Sequence, residues 1–324
     1  LRRLLAAFVL LLVLAGVARA EDPSAGEIAP VESADVTPAY PRPPELFGPR
    51  PGPPLEIHLL GERDFRAGLH DFQGSVAVSR DGFTLESGLP SPRPTLLGIS
   101  FSAEESSYDF HGAWGVIDVT DDPVETVWQI GLAPRLLVPV RDDLSLFFFG
   151  SVDFRGAIDA EVEDALTYGG ALGVRAQLSP DLTVLVGFGG RTRLEARPLL
   201  LPYLGFDWKV SDRVRLELGA TGLKASFEPV TGVSLFASFG VEQREYRLAQ
   251  HGDDALVPGM VVRDLRVPFR VGAGWQVIPG LRLEADCGVI VYQRYVFDDH
   301  LGRIITAATT NPAGFVGFNV RFDL

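Results

Sequence analysis

The chain is poor in cysteine, lysine, asparagine and methionine, and each scarcity narrows its identity. Cys287 is the only thiol, so no intrachain disulfide can form, and backbone pairing and burial must supply the stability. Lys209 and Lys224 are the only lysines among 29 basic residues, and the net charge is −13, which argues against nucleic acid as a partner. Beyond the first 20 residues every apolar stretch is broken by charge, glycine or proline, so no later segment can be a membrane helix. No G-x-S-x-G, H-E-x-x-H or C-x-x-C occurs, and Asn311 and Asn319 are the only asparagines. None of His58, His70, His111, His251 and His300 lies in a segment like the active-site strands of lipid-modifying barrels. The expectation is therefore no enzyme, no catalytic residue and no cofactor.

What is present begins with an export leader. Arg2 and Arg3 precede an apolar run from Leu4 to Val17, and Ala18-Arg19-Ala20 is a small-x-small cleavage site, so residues 1–20 read as a signal peptide. Residues 21–54 hold ten prolines, which cannot donate regular backbone hydrogen bonds. That segment reads as a disordered tether on the periplasmic side.

From residue 55 onward the pattern is alternation. In Leu182–Leu194 the even positions are Leu, Val, Val, Phe, Gly, Thr and Leu, while the odd ones include Arg191 and Arg193. Successive strand side chains point to opposite faces, so one face is oily and the other charged. Ten segments behave this way: Val127–Val138, Leu144–Gly156, Leu166–Leu178, Leu182–Leu194, Leu199–Val210, Arg213–Leu218, Val233–Arg244, Leu265–Val277, Leu281–Arg294 and Phe315–Leu324. Their more apolar face carries no Asp, Glu, Lys or Arg, includes Trp128, Trp208 and Trp275, and also takes Cys287. Most are ten to fourteen residues long, where membrane strands need about 9–11 and soluble strands average about 5–6. Indoles near strand ends fit interfacial belts.

The fold expected is all-β: a transmembrane antiparallel up-and-down barrel over residues 55–324, with an even count of 12 to 16 strands. Short turns at Pro139–Asp143, Ser179–Asp181, Ser211–Asp212 and Pro279–Gly280 alternate with longer polar loops at Ala157–Ala165, Ala249–Val262 and Asp298–Pro312. The alternation of direction requires an extra strand near Leu223–Phe227. The first third is less regular. It offers strands at Leu55–Leu60, Phe72–Arg80, Phe83–Ser87, Thr95–Ala103 and Tyr108–Val119, with Asp81-Gly82 as a tight-hairpin signal.

The charged face nominates a lumen lined by Arg135, Arg155, Arg175, Arg191, Arg193, Arg213, Arg215, Arg266, Arg270 and Arg282. Glycines at 169, 173, 187, 189, 272 and 274 would leave space there. Such a wall favours anions in a passive channel or small-solute barrel. A non-catalytic structural or adhesion barrel with a plugged lumen is the alternative, and a soluble secreted β-sandwich a second one. Two acidic loops, His251-Gly252-Asp253-Asp254 and Asp298-Asp299-His300, offer hard oxygen ligands for a divalent ion, against the plainer reading of solvated turns.

The last strand is apolar at Val316, Phe318, Val320, Phe322 and Leu324, up to the final residue. It resembles the C-terminal signal that outer-membrane barrels present to their insertion machinery, which names that machinery and outer-membrane lipid as partners. Oligomeric state stays open, since subunit and lipid contacts both use apolar outward faces. Residues 55–324 also resemble an uncharacterised family of exported porin-like barrels from planctomycete-type bacteria. The segments that carry this are Leu89-Pro90-Ser91-Pro92-Arg93-Pro94, Glu245-Tyr246-Arg247-Leu248 and Val291-Tyr292-Gln293-Arg294-Tyr295. That family implies a barrel and brings no assigned activity. A barrel predicts heat-modifiable migration of the folded chain on a denaturing gel; a band unchanged by boiling points to the sandwich.

Overall fold

A computed structural model describes residues 55–70, 72–89, 95–112, 124–219, 222–248 and 259–324. The leader, the proline-rich segment, Pro90–Pro94, the stretch expected to continue a strand to Val119, and the loop with Asp253 and Asp254 lie outside them.

The strands are β1 (Leu55–Asp64), β2 (Ala67–Gly68), β3 (Ser75–Leu89), β4 (Leu96–His111), β5 (Thr126–Arg141) and β6 (Leu144–Gly156). A short helix α1 (Val162–Ala165) precedes β7 (Leu166–Ser179), β8 (Leu182–Arg191), β9 (Leu199–Lys209), β10 (Val214–Gly219) and β11 (Gly222–Val230). Then come β12 (Val233–Gly240), β13 (Glu242–Arg247), β14 (Val261–Ile278), β15 (Leu281–Asp298), β16 (Ile304–Thr309) and β17 (Ala313–Asp323). They form a closed 14-strand antiparallel barrel, sealed where β17 pairs with β1 from Glu56↔Asp323 to Asp64↔Phe315. The sheet closes on itself, which overturns the sandwich of two stacked sheets and places the count inside the expected even range. The required extra strand is β11.

The outward face carries large apolar side chains in the open, among them Leu132, Phe148, Leu172, Val186, Phe188, Phe269, Val271 and Phe318. Cys287 is exposed with them. One register row runs Gly61, Asp81, Glu105, Trp128, Gly156. The exposed Arg63–Asp81 pair stands at this level, so charge reappears outside where the Trp128 row begins. Asp81-Gly82 is no hairpin. β3 runs straight through it because fifteen consecutive residues pair with β4.

The tight turns gather at one end, together with both barrel termini: the Leu324 N–H donates to the Leu55 carbonyl at 2.9 Å. The other end is not a simple rim. At Val241 the chain leaves β11, and β13 pairs with β14 and touches Gly156 of β6 instead. In β15 an extra residue sits at Val291, because Val267↔Tyr292 is followed by Pro268↔Ile290. Beyond that bulge β15 exchanges its partner β17 for β16, a strand the sequence left as loop. A bulge reverses the parity of everything after it. Gln293, expected outside, is therefore buried, with Tyr295 and Phe297 on its face.

Strand β13, the outer halves of β14 and β15, and β16 thus make a four-stranded flap that folds inward. One face packs on the wall through Tyr246, Val262, Tyr295 and Phe297 against Val76, Val78, Tyr108 and Phe110. Tyr108 and Tyr295 meet edge to face at 6.0 Å, Phe110 and Tyr295 at 5.5 Å. Opposite, the wall is low. β9 pairs with β10 only over Phe206–Lys209, and the β10–β11 ladder ends at Gly219↔Gly222.

Gly222, the first residue of β11, has φ +150°, and a Cβ there would lie 2.1 Å from the Phe239 carbonyl oxygen of β12. Gly222→Val is expected to cost about 1–3 kcal/mol of strain, read as an earlier midpoint of urea unfolding in detergent micelles.

Candidate functional site: the bridged interior

The interior is crossed by a network of charged side chains that join flap to wall. On β1 and β3, Glu62, Asp64 and Arg80 alternate inward; on the flap, Glu242, Arg244, Asp264 and Arg266 do the same. Arg80 donates to Asp64 at 2.8 Å and to Asp264 at 2.9 Å. Asp264 also accepts from the Tyr108 hydroxyl at 3.0 Å and from the Gln293 amide at 2.9 Å. Arg266 reaches Glu62 and Glu242, Arg244 reaches Glu104 at 2.8 Å, and Arg270 reaches Glu62, Glu242 and Asp286. Arg80 and Arg266 are each about 1% exposed. Burying such charges requires nearly complete pairing, and here each guanidinium faces two or more carboxylates.

The ten arginines expected to line a lumen fall in several settings. Arg266 and Arg270 belong to the bridging network. Arg135 pairs with Glu86 at 2.8 Å, Arg215 with Asp207, and Arg282 with Glu284 and the Ser234 hydroxyl. Arg175 is half-buried on β7. Arg213 stands exposed just before β10, at the turn end. Arg155, Arg191 and Arg193 converge on the flap's second face, where Glu245 accepts from Arg193 at 2.8 Å.

The expected space inside is partly taken. A Cβ on Gly173 would meet the Phe147 ring at 2.7 Å, and one on Gly272 the Phe236 ring at 2.5 Å. These glycines accommodate inward aromatic rings. Phe147 in turn packs against Tyr203 at 5.9 Å.

The acidic loop at 298–300 is tied down by arginine. Asp298 ends β15 and pairs with Arg263 at 2.7 Å. Asp299 accepts from the backbone N–H of Leu301 and of Arg303, each at 2.9 Å, and from the Arg303 guanidinium at 2.7 Å. The Arg303 backbone N–H, with those other donors, draws its carboxyl down to about 2. No group of three or more potential metal ligands occurs among the described residues.

Sequence reasoning missed Glu62, Asp64, Arg80, Asp264 and Gln293. The first three alternate cleanly but sit in the irregular first third, and the last two lie where β14 and β15 were expected to end or face outward. Asp264→Ala would leave Arg80 buried beside a lost partner, so a loss of about 3–5 kcal/mol is expected, measured by urea unfolding in micelles.

No family model matches the chain, and no curated protein matches it. Solved structures do. The COG4313 outer membrane channel from Pseudomonas putida F1 aligns with 10% identity and a TM-score of 0.46, over 86% of this chain and 99% of that one. The Pseudomonas putida toluene transporter TodX aligns with 6% identity and a TM-score of 0.43, over 85% and 90%. A Pseudomonas aeruginosa FadL homologue aligns with 13% identity and a TM-score of 0.43, over 83% and 90%.

Proposed function

We propose that this protein is an outer-membrane β-barrel that serves as a passive small-solute channel with an arginine-rich lumen, closed in this conformation by its own inward-folded flap. The observation that carries the reading is the contrast between the two faces of one closed sheet. Outside, exposed Leu, Val and Phe face the surroundings below the Trp128 row; inside, arginines and carboxylates are buried. A closed barrel satisfies every backbone group without water, which hydrocarbon demands. Residues 1–20 are the leader that exports it, and the proline-rich segment joins the barrel at the rim of short turns, the periplasmic side in this reading. Strand β17, which seals the barrel, is the segment offered to the insertion machinery.

The passage is gated by the contacts between flap and wall. Arg244 with Glu104, Tyr246 with Tyr108 and Arg80 with Asp264 hold the flap across the interior. Loosening them opens a path along the β6–β8 wall, where Arg155, Arg175, Arg191 and Arg193 outnumber Asp153 and Glu245, an excess that lowers the barrier for anions. The same bridges also favour a second reading, a permanently plugged barrel whose outer loops bind a partner.

Planar-bilayer recording separates the two. The expected result is a small anion-preferring conductance that rises several-fold in Arg244→Ala/Tyr246→Ala, where two flap contacts are gone. Silence from both proteins supports the plugged barrel, and preference for cations overturns the arginine-lined channel.

A further inference from the structure

Beneath the flap's second face, two arginines are buried without hydrogen-bond partners. Arg155, near the end of β6, is 1% exposed, and Arg191, the last residue of β8, is 6% exposed. All three guanidinium nitrogens of each lack a hydrogen bond among the described residues. Their nearest carboxylates stand at ion-pair range only: Asp153 is 3.5 Å from Arg155, and Glu245 is 3.9 Å from Arg191. Glu245 is already engaged, accepting from Arg193 at 2.8 Å and from the Leu194 backbone N–H at 3.4 Å.

The two side chains belong to one cluster. Arg155, Glu245, Asp153 and Arg193 carry the charges that act most on Arg191, and Asp298, paired with Arg263, adjoins Glu245 and Arg193. Counting that pair, four guanidiniums meet three carboxylates, two of which are spoken for. The sheet between the two arginines is bare. β7 crosses there with Gly169 opposite Arg191, and a Cβ on that glycine would be 2.7 Å from the Ser151 hydroxyl and 3.4 Å from Arg191 Cβ. The neighbouring inward side chains, Ser151 and Thr167, are short and polar; the Thr167 hydroxyl donates to the Asp153 carbonyl at 3.4 Å, and the Ser151 hydroxyl is able to donate to a ligand.

A buried guanidinium without partners costs several kcal/mol of lost hydration. Two side by side, with excess positive charge and short hydroxyls around them, form a receptor for the missing acceptor. We infer that Arg155 and Arg191 bind the oxyanion group of a small solute, a phosphate or a carboxylate, between the flap and the β6–β8 wall. Guanidinium forks match the paired oxygens of either group. Both arginines lie on the inward face of the sheet, away from its lipid side, so the ligand is a dissolved anion and not the headgroup of a surrounding lipid.

This inference rests on the interior assigned above, but not on conduction. A barrel that conducts and binds no phosphate loses only this site, whereas one that binds phosphate and stays silent loses only the channel. The probe is inorganic phosphate, titrated into the full chain folded in a non-ionic detergent. Binding is read by phosphorus NMR line broadening and by the rise in thermal unfolding temperature that any native-state ligand produces. Saturable binding is expected, weakened at least tenfold in Arg155→Gln and in Arg191→Gln, with chloride at equal ionic strength inert. Glu245→Gln leaves both arginines in place and removes the competing carboxylate, so it should bind phosphate more tightly. It decides the matter if the arginine variants fail to fold. Absence of saturable binding in the unaltered chain, equal binding in either arginine variant, or no gain in Glu245→Gln overturns the site.

Discussion

A carboxylate sealed inside a barrel has to be answered by donors, and Asp264 is answered from three strands at once. Arg80 comes from β3, Tyr108 from β4 and Gln293 from β15. Those bonds fasten the flap to the wall, and the aromatic cluster around Tyr295 can form only when they hold it in place. Arg80 in turn ties Asp264 to Asp64 of β1, beside the line where the barrel closes. Charge here does what a hydrophobic core does in a water-soluble domain. With most apolar side chains turned outward, polar pairing and the cluster around Tyr108 and Tyr295 together define the inside.

The flap owes its position to one residue of excess. Val291 has no counterpart on β14, so the outer part of β15 turns its other face inward and takes β16 as neighbour. Without the bulge, Gln293 would point outward with Val289 and Cys287, and Tyr295 could not reach Tyr108. Pro268 stands at the same level of β14, where its missing N–H suits a break in the ladder. At Val241 the chain parts from β11, completing a bend line across three strands.

Much of this was legible before any coordinates. Alternation over residues 127–210 reveals strand order and facing, because each of those strands is paired on both sides and shifts register only beside the short turns, at Pro139–Arg141 and Gln177–Ser179. The need for β11 followed from counting directions alone. What stayed hidden is non-local. Asp81-Gly82 carries a strong turn signal, yet continuous pairing with β4 outweighs it. The bulge at Val291 leaves no mark in the sequence, since Val and Tyr suit either face there. Arg191 and Arg193 were readable as inward residues, but their meeting with Glu245 depends on where the flap lands. Gly173 and Gly272 were read as empty space, whereas their direct cross-strand neighbours Phe147 and Phe236 lay rings over them.

The hydrogen bond from Leu324 to Leu55 sets an order on assembly. The two halves of this seam are separated by nearly the whole barrel sequence, so the cylinder can be zipped only once its final segment is available. Until then both edge strands are open templates for unwanted pairing. The pairing of β1 with β17 is thus the contact that removes both edges at once.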